Sequence, residues 1–236
     1  MNSEQQLLFR YTFHLADGPS RCFEVRLEAQ TLSLVTANRA DLPEWTRLES
    51  RQCPNCPLDA GEHPHCPLAV AIIDLVEFFT EFTSYDKVEV SLQTKERDYV
   101  KRTSVQKGVS SLMGIYMVSS GCPIMDKLRP MVRFHLPFAT IEETTYRAIS
   151  MYLTAQYFRS RHNLAADWDL KHLTDVYEEV QIVNRSFVGR LKQIELHDAS
   201  ANALVILDNF ANYVALALDE DMLDDMEYLF TAYLEE

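Results

Sequence analysis

The feature that most constrains this chain is the segment 53–68, which crowds cysteine, histidine and proline together. It reads CPNCPLDAGEHPHCPL and holds three of the five cysteines, two of the seven histidines and four of the nine prolines. A fourth cysteine, Cys122, lies far along the chain in the sequence Ser-Gly-Cys-Pro-Ile. Proline follows each of these four cysteines, whereas Phe23 follows the fifth, Cys22. The shared dipeptide separates four cysteines from the fifth and indicates that they form one set.

This set has the composition of a zinc site. Zinc is bound by thiolates in a tetrahedral shell, and a Cys-x-x-Cys pair lets two sulfurs reach one ion. Cys53 and Cys56 have that spacing, and Cys66 follows ten residues later. With Cys122 as the fourth ligand, the ion would tie the irregular segment 43–66 to the end of a helix. The sequence therefore predicts a Zn²⁺ site made of Cys53, Cys56, Cys66 and Cys122.

Three alternatives to this site remain open. In the first, Cys122 is a core thiol and His63 or His65 supplies the fourth ligand. In the second, the four thiolates hold an iron–sulfur cluster, although the spacing differs from the cysteine runs of bacterial ferredoxins. In the third, the thiols bind no metal and are inert, or they serve a redox or haem-linked role instead.

Composition and charge exclude several classes of protein. A formal net charge of −13 argues against general binding to nucleic acids or anionic membranes, which requires an excess of Lys and Arg. No apolar run reaches the ~18 residues of a membrane span, and no signal-peptide pattern opens the chain. Clustered thiols do not form a secreted disulfide framework. We expect a cytoplasmic protein with no nucleic-acid or membrane partner.

The first half of the chain predicts a sheet built from two hairpins. Two stretches are rich in turn-forming residues, and each is flanked by segments in which apolar and polar residues alternate. This pattern is typical of antiparallel strands. The apolar segment 68–82 predicts a buried helix that starts after Pro67. A second helix is expected to begin at Thr103 or Ser104 and to end near Gly121. The four predicted strands cover residues 6–15, 22–27, 88–92 and 99–103.

The second half of the chain predicts helices behind a proline-rich connector. Thr140 and Glu143 have the spacing of a capping box, which predicts a helix to about His162. Further helices are expected over 170–194, over 199–218 behind Asp198, and from 221 or 222 to 234. We therefore expect an α+β protein with N-terminal antiparallel β-hairpins and packed helices, followed by a C-terminal helical bundle. The predicted parts are 1–122, an ordered connector at 123–139, and 140–236, unless the chain forms one continuous domain.

Charge is distributed unevenly, and this suggests a second site. Residues 95–133 hold eight basic side chains against three acidic ones, whereas 195–236 hold eleven acidic and no Lys or Arg. Cations placed among prolines beside Cys122 predict an anion-binding face on the connector. The alternative is that these cations form salt bridges with the acidic C-terminal helices. The candidate residues are Lys127, Arg129, Arg133 and His135.

The motifs of the connector and the cysteine segment carry a family resemblance. Cys-Pro-x-Cys-Pro-Leu at 53–58 and Gly-Cys-Pro-Ile-Met-Asp-Lys-Leu-Arg-Pro at 121–130 resemble those of a bacterial conserved-hypothetical family without an assigned activity. The resemblance covers most of the chain. It implies a bacterial cytoplasmic setting and groups the cysteines as one set, but it implies no reaction.

Two functional hypotheses follow from the sequence. The first is a non-enzymatic metal-binding module, in which the ion holds the cysteine segment and the bundle recognises a partner protein. The second is an iron–sulfur redox protein, sensor or enzyme that binds an anion at the connector. The chain lacks a glycine-rich phosphate loop, a nucleophile elbow and a His-Glu-x-x-His motif, so no catalytic residue is predicted. The sequence is compatible with a homo-oligomer.

Overall fold

A four-stranded antiparallel sheet forms the N-terminal part of the protein. The computed structural model describes residues 6–15, 20–36, 39–194, 199–219 and 223–235. The strand order is β2-β1-β3-β4, so the two predicted hairpins are confirmed and are joined by pairing of β1 with β3. The first predicted turn falls largely outside the described residues. The strands are β1 (Gln6–Leu15), β2 (Arg21–Glu28), β3 (Lys87–Gln93) and β4 (Asp98–Ser104).

Only one face of this sheet is buried. Successive side chains of a strand point to opposite faces, so every second residue reaches the core. β4 is an edge strand, and its exposed Lys101 and Arg102 protect the open edge against pairing with another strand. The core-facing side chains are Phe9, Tyr11, Phe13, Phe23, Val25, Leu27, Val88, Val90 and Leu92.

Helix α3 (Val105–Ser119) covers the buried face of the sheet. Gly108 lies where the helix approaches the strands most closely. A Cβ at this position would lie 2.8 Å from Val90 and 2.9 Å from Phe13, so the absence of a side chain permits the contact. The helix begins directly after Ser104, one of the two residues expected to cap it, but the Ser104 side chain makes no capping hydrogen bond.

The prediction of one continuous helix over 68–82 was wrong. The segment forms α1 (Pro67–Ala71), α2 (Ile73–Phe78) and a 3₁₀ turn, Phe79–Glu81. Ile72 leaves helical geometry at φ −107° and ψ 10° and separates the two helices. Its side chain is fully buried, so packing of apolar side chains on several faces outweighs helical continuity here.

The connector contains two short helical pieces. A 3₁₀ turn, Met125–Leu128, precedes α4 (Pro130–Arg133). Met125, Leu128 and Val132 are buried and fix this segment against the core.

Three long helices follow the connector and contact one another. They are α5 (Ile141–Arg161), α6 (Lys171–Leu191) and α7 (Ala199–Asp219). The capping box is confirmed: the Glu143 N–H donates to Thr140 Oγ1 at 3.1 Å, and the Thr140 N–H donates to Glu143 Oε2 at 2.7 Å. The predicted cap Asp198 lies outside the described residues.

The last predicted helix is shorter than expected. Its proposed start at 221 or 222 lies outside the described residues, Asp224–Phe230 is a 3₁₀ helix, and α8 (Thr231–Leu234) has four residues. Tyr228, Tyr233 and Leu234 are exposed, so this part receives little packing energy to sustain a longer α-helix.

Buried residues of the sheet and of the helices form one hydrophobic cluster, from Phe9 in β1 to Ala215 in α7. α3 contacts both the sheet and α7, and so joins the N-terminal part to the helices that follow the connector. Within the described part of the chain, no helix is long and apolar enough to cross a membrane.

Candidate metal centre

The four cysteines that precede proline line one small cavity, here named the cysteine cavity. Its volume is about 20 Å³. The cysteines come from three places in the chain: the turn at 53–56, the start of α1, and the loop after α3. All four are half-buried free thiols, whereas Cys22 is exposed on β2. The fold thus brings together the set that the sequence separated from Cys22.

Cys66 is positioned by the start of α1. It is the residue before the first helical turn, and Pro67 occupies the first helical position. Its backbone N–H donates to the Thr46 carbonyl at 2.8 Å, which holds the loop against the helix start. The N–H groups of Leu68 and Ala69 donate to its sulfur and favour the thiolate form.

Cys122 is positioned by a reversal of the chain after α3. Gly121 adopts φ +92°, a conformation that a residue with a side chain reaches only with strain, and so directs Cys122 toward the cysteine cavity. The N–H groups of Met125 and Ile124 donate to the Cys122 sulfur. Its carbonyl accepts from the Asp126 N–H at 3.1 Å. The sulfur therefore faces two backbone donors, as in Cys66.

Cys53 and Cys56 lie in a tight turn that α6 holds in place. The Cys56 N–H donates to the Cys53 carbonyl at 3.0 Å. Asn55 Nδ2 donates to the Glu179 backbone carbonyl at 3.0 Å and also bonds to its carboxylate. The Ser186 hydroxyl hydrogen-bonds to the Cys53 sulfur. The turn is therefore held to α6 at two points, by Asn55 with Glu179 and by Cys53 with Ser186.

Arg190 of α6 lines the cysteine cavity and is 2% exposed. Its guanidinium donates to four backbone carbonyls of the segment that leads into the cysteine turn. Burial lowers the pKa of Arg190, and Cys66, Cys53 and Cys56 oppose this shift, which places the guanidinium near three thiols. The acceptors are Trp45 at 2.7 Å, Arg47 at 2.6 Å, Leu48 at 3.3 Å and Arg51 at 2.5 Å.

No carboxylate neutralises Arg190 within the described ranges, where its polar contacts are these carbonyls and no acidic side chain lines the cavity. A buried cation is costly unless a counter-charge lies nearby. The neighbouring groups able to provide one are the cysteines, as thiolates.

Burial keeps the thiols of Cys53, Cys66 and Cys122 protonated when no cation is bound. It raises the pKa of Cys53 to about 11, and it raises the pKa of Cys66 and of Cys122, against the backbone N–H groups that favour their thiolates. A raised thiol pKa removes the nucleophile that thiol–disulfide exchange needs. A metal ion reverses this balance, since a coordinating thiol loses its proton to the metal.

The donor set fits zinc in number and type, but the sulfurs are not in coordinating positions. Among the residues that the structure describes, no group of three or more Cys, His, Asp or Glu side chains is arranged as a metal-ion site. Zinc–sulfur bonds are about 2.3 Å long, so the four sulfurs would have to move inward around the cavity. The cysteine set as a metal site remains a prediction.

The two candidate histidine ligands lie away from the cysteine cavity. His65 Nδ1 hydrogen-bonds to Thr46 Oγ1 at 2.7 Å, and His63 is exposed. Neither residue lines the cavity, whereas Cys122 does. The structure therefore brings together the cysteine set and not a histidine-containing one.

Comparison with known proteins gives one match. Residues 8–231 match DUF6901, a domain of unknown function. This chain belongs to the DUF6901 family. The matched region includes all four cysteines of the set and nearly all of the described helices and strands. No significant match was found to a curated protein or to a solved structure.

In this DUF6901 chain, the connector residues predicted to bind an anion do not share a cavity. Arg129 forms an ion pair with Asp126 and donates to the Thr31 carbonyl at 3.0 Å. Lys127 lines a groove between α5 and α6, and Arg133 is exposed. His135 lines a different cavity.

His135 is part of a buried polar chain. Its Nε2 lies 2.6 Å from the Tyr11 hydroxyl, which lies 2.9 Å from Ser111 Oγ. Burial, together with the positive charge of nearby Arg147, lowers the pKa of His135 to about 3. The imidazole is therefore neutral at physiological pH and links β1 to α3 and the connector.

Sequence reasoning missed three residues of the candidate site: Asn55, Ser186 and Arg190. One signal was available for Arg190. It lies three residues after buried Phe187 and next to buried Leu191, within the apolar stripe of α6. A charged residue in such a stripe indicates a buried polar partner. The contacts of Asn55 and Ser186 join segments more than 120 positions apart, and no local sequence pattern predicts them.

Proposed function

We propose that this DUF6901 protein is a metal-binding module in which Cys53, Cys56, Cys66 and Cys122 hold one Zn²⁺ as a structural centre. The convergence of these four cysteines on one small cavity beside Arg190 carries the proposal. Three separate parts of the chain have to meet to create this arrangement.

The electrostatics of Arg190 support a bound anionic centre. Zinc with four thiolates carries a net charge of about −2. The guanidinium lies beside these sulfurs and has no carboxylate partner in the described part of the chain. A zinc–thiolate centre would supply the missing negative charge. The cation would in turn lower the cost of burying that centre.

The size of the cavity supports a single ion in a closed site. About 20 Å³ is close to the space that one water molecule occupies in a cavity. An iron–sulfur cluster needs room for several iron and sulfide ions, so the cavity favours a mononuclear centre. Four protein ligands leave no open position for a substrate, which is the arrangement of structural rather than catalytic zinc.

The centre would organise segments that have little regular structure. Between β2 and α1, the described residues hold one helical element, the 3₁₀ turn Glu44–Thr46. The ion would tie this segment to the start of α1 and to the loop after α3, beside α6. In this proposal it locks the cysteine turn, the start of α1 and the loop after α3 together beside α6.

The helices after the connector offer a surface for the proposed partner protein. Tyr157, Phe158, Leu164 and Trp168 are about half exposed at the end of α5 and in the following loop. Exposed apolar and aromatic side chains are enriched in protein–protein contacts. Free thiols at all five cysteines suit a reducing bacterial cytoplasm, which we propose as the setting.

Metal analysis of single variants tests this proposal. Wild-type protein purified without an affinity tag under anaerobic conditions should contain one zinc per chain and show no visible absorption band. Cys53→Ser, Cys56→Ser, Cys66→Ser and Cys122→Ser should each reduce bound zinc by about tenfold or more, because each removes a ligand. Cys22→Ser is the matched control and should keep full zinc content, since Cys22 is exposed and outside the cavity.

Two results would contradict the site as described. Iron with matching sulfide and a broad visible band would replace zinc with a cluster. Full zinc content in Cys122→Ser would remove Cys122 from the ligand set and return the fourth position to another residue.

A further inference from the structure

A second cavity, here named the large cavity, lies among α3, the connector, α5, α6 and α7. Its volume is about 400 Å³, which falls within the range of small-molecule sites. It is distinct from the cysteine cavity, with which it shares no lining residue. Its wall is mainly aliphatic, aromatic and thioether, including Met117, Met125, Leu128, Met131, Phe138 and Phe210.

The charged side chains that line the large cavity are all positive. Lys101, Lys107 and Arg147 line the large cavity, and no Asp or Glu of the described ranges does. This is unexpected in a chain with a formal net charge of −13. None of these three cations takes part in the ion pairs of the described residues. The cavity therefore presents positive charge that no ion pair of the described residues neutralises, although Glu143 lies near enough to Arg147 to favour its charged form.

Arg147 is positioned by the connector. Its Nη2 donates to the Met131 carbonyl at 2.9 Å and to the Phe134 carbonyl at 3.0 Å. These carbonyls hold the guanidinium in place but do not neutralise its charge. A held arginine at the wall of a cavity can bind an anion at low entropic cost, because the guanidinium is already oriented.

Lys101 and Lys107 mark the rim of the large cavity, since both are exposed. Lys101 Nζ lies 5.7 Å from the ring centroid of Phe138, which also lines the cavity. The two lysines can therefore attract an anion from solvent, and they add to the field of Arg147 at the entrance.

Asn184 provides a second, independent sign of a ligand. It is 1% exposed and lines the large cavity, and its Oδ1 has no hydrogen-bond partner among the residues that the structure describes. Leaving a buried polar atom unpaired costs free energy, and natural proteins rarely do so. An amide can present either its oxygen or its NH₂ after rotation, so Asn184 can pair with a donor or an acceptor on a ligand.

We propose that the large cavity binds an apolar small molecule that carries one anionic group, of the class of a medium-chain fatty acid. The apolar body packs against the methionine, leucine and phenylalanine side chains of the wall. The anionic group lies toward Arg147, Lys101 and Lys107, and Asn184 hydrogen-bonds to a polar atom of the ligand. This site is independent of the proposed metal centre.

The test compares decanoate with decanol, which has the same alkyl chain and no charge, by titration calorimetry on the full-length, metal-loaded protein. Decanoate should bind saturably with one site per chain. Decanol should bind at least about tenfold more weakly than decanoate, because it gains nothing from the three cations. No saturable binding of decanoate, or equal affinities for the two probes, would overturn the proposal.

Variants locate the binding. Gly114 lines the large cavity, and a Cβ there meets only Leu207 Cδ2, at 3.9 Å. Gly114→Leu therefore projects into the cavity while favouring the helix, and it should abolish decanoate binding. The double variant Lys101→Met/Lys107→Met should weaken binding about tenfold. Its matched control is Arg102→Met, an exposed cation of the same strand that pairs with Glu89 and should bind as wild type does.

Each variant has a result that would overturn the proposed binding site. Wild-type affinity in a folded Gly114→Leu protein, checked by circular dichroism, would overturn the site. If that variant fails to fold, the double lysine variant decides, because both side chains are exposed and do not support the core. All of these variants should keep full zinc content. Loss of decanoate binding with zinc retained therefore separates this site from the metal centre.

Discussion

Removal of zinc by a chelator should lower the midpoint of thermal unfolding by about 10 °C, because in the proposed centre the ion joins three parts of the chain and its binding stabilises the folded state. Cys66→Ser should produce a similar shift without a chelator, and the chelator should then add little. The measurement is scanning calorimetry at neutral pH with and without an excess of chelator. Cys22→Ser should respond to the chelator as the wild type does, since its thiol is exposed on β2.

The pH dependence of this stability should reverse when the metal is removed. In the metal-free protein, burial raises the pKa of Cys53 to about 11 and also raises that of Cys66 and Cys122. A folded-state pKa above the unfolded one gives stability that is present at neutral pH and is lost as pH rises from about 9 to about 11. The metal-loaded protein should instead lose stability as pH falls, because protons compete with zinc for the thiolates.

Two outcomes would count against this account. The first is an unfolding midpoint that a chelator leaves unchanged although it removes the zinc. The ion would then be bound without organising the fold. The second is a loss of stability at acidic pH that is the same with and without metal, which would assign the transition to groups other than the cysteines.

Arg190→Met should reduce the free energy of unfolding by about 3–5 kcal/mol, the second large effect that we expect. The change leaves up to four backbone carbonyls between Trp45 and Arg51 without their donor, and it removes the cation beside the thiolates. Zinc content should fall as well, because the centre loses its counter-charge. Denaturant unfolding and metal analysis on the same samples measure both effects.

Two further variants separate packing from charge at this position. Arg190→Lys keeps the cation but cannot reach the carbonyls with a planar fork, so it should show an intermediate loss of stability and keep more zinc than Arg190→Met. Arg185→Met is the matched control on the same helix. Arg185 is exposed and pairs with Asp208, so its loss should cost less than about 1 kcal/mol. Equal effects of Arg190→Met and Arg185→Met would contradict the role given to Arg190.

The parts of the fold that local patterns determine could be predicted from the sequence. Alternation in β1 and β2 places Phe9, Phe23 and Val25 on one face, and this follows from strand geometry alone. The capping box at Thr140 and Glu143 likewise depends on a spacing of three residues. Both predictions are confirmed because the interactions that decide them lie within a few residues of one another.

Features that depend on distant contacts could not be predicted in the same way. Ile72 interrupts a segment that reads as one helix, since its backbone is set by packing that the local pattern does not encode. The basic residues of the connector are adjacent in sequence, but Lys127 and His135 line different cavities. Arg147 and Asn184, which define the large cavity with the two lysines, lie on helices that no motif connects.

The cysteine site stands between these two cases. The shared Cys-Pro dipeptide identified the four members, and the fold brings them to one cavity, although three α-helices and two strands separate Cys66 from Cys122. The role of Arg190 could not be read from the cysteine motif, because it arises only when α6 packs against the 45–51 segment.

X-ray absorption spectroscopy at the zinc edge of the wild-type protein tests the central claim most directly. The account predicts one zinc per chain, surrounded by four sulfur atoms at about 2.3 Å, with no second metal nearby. A shell that includes nitrogen or oxygen would contradict the four-cysteine set. A protein that holds no zinc, or that gives an iron spectrum with iron–iron scattering, would contradict the zinc centre itself.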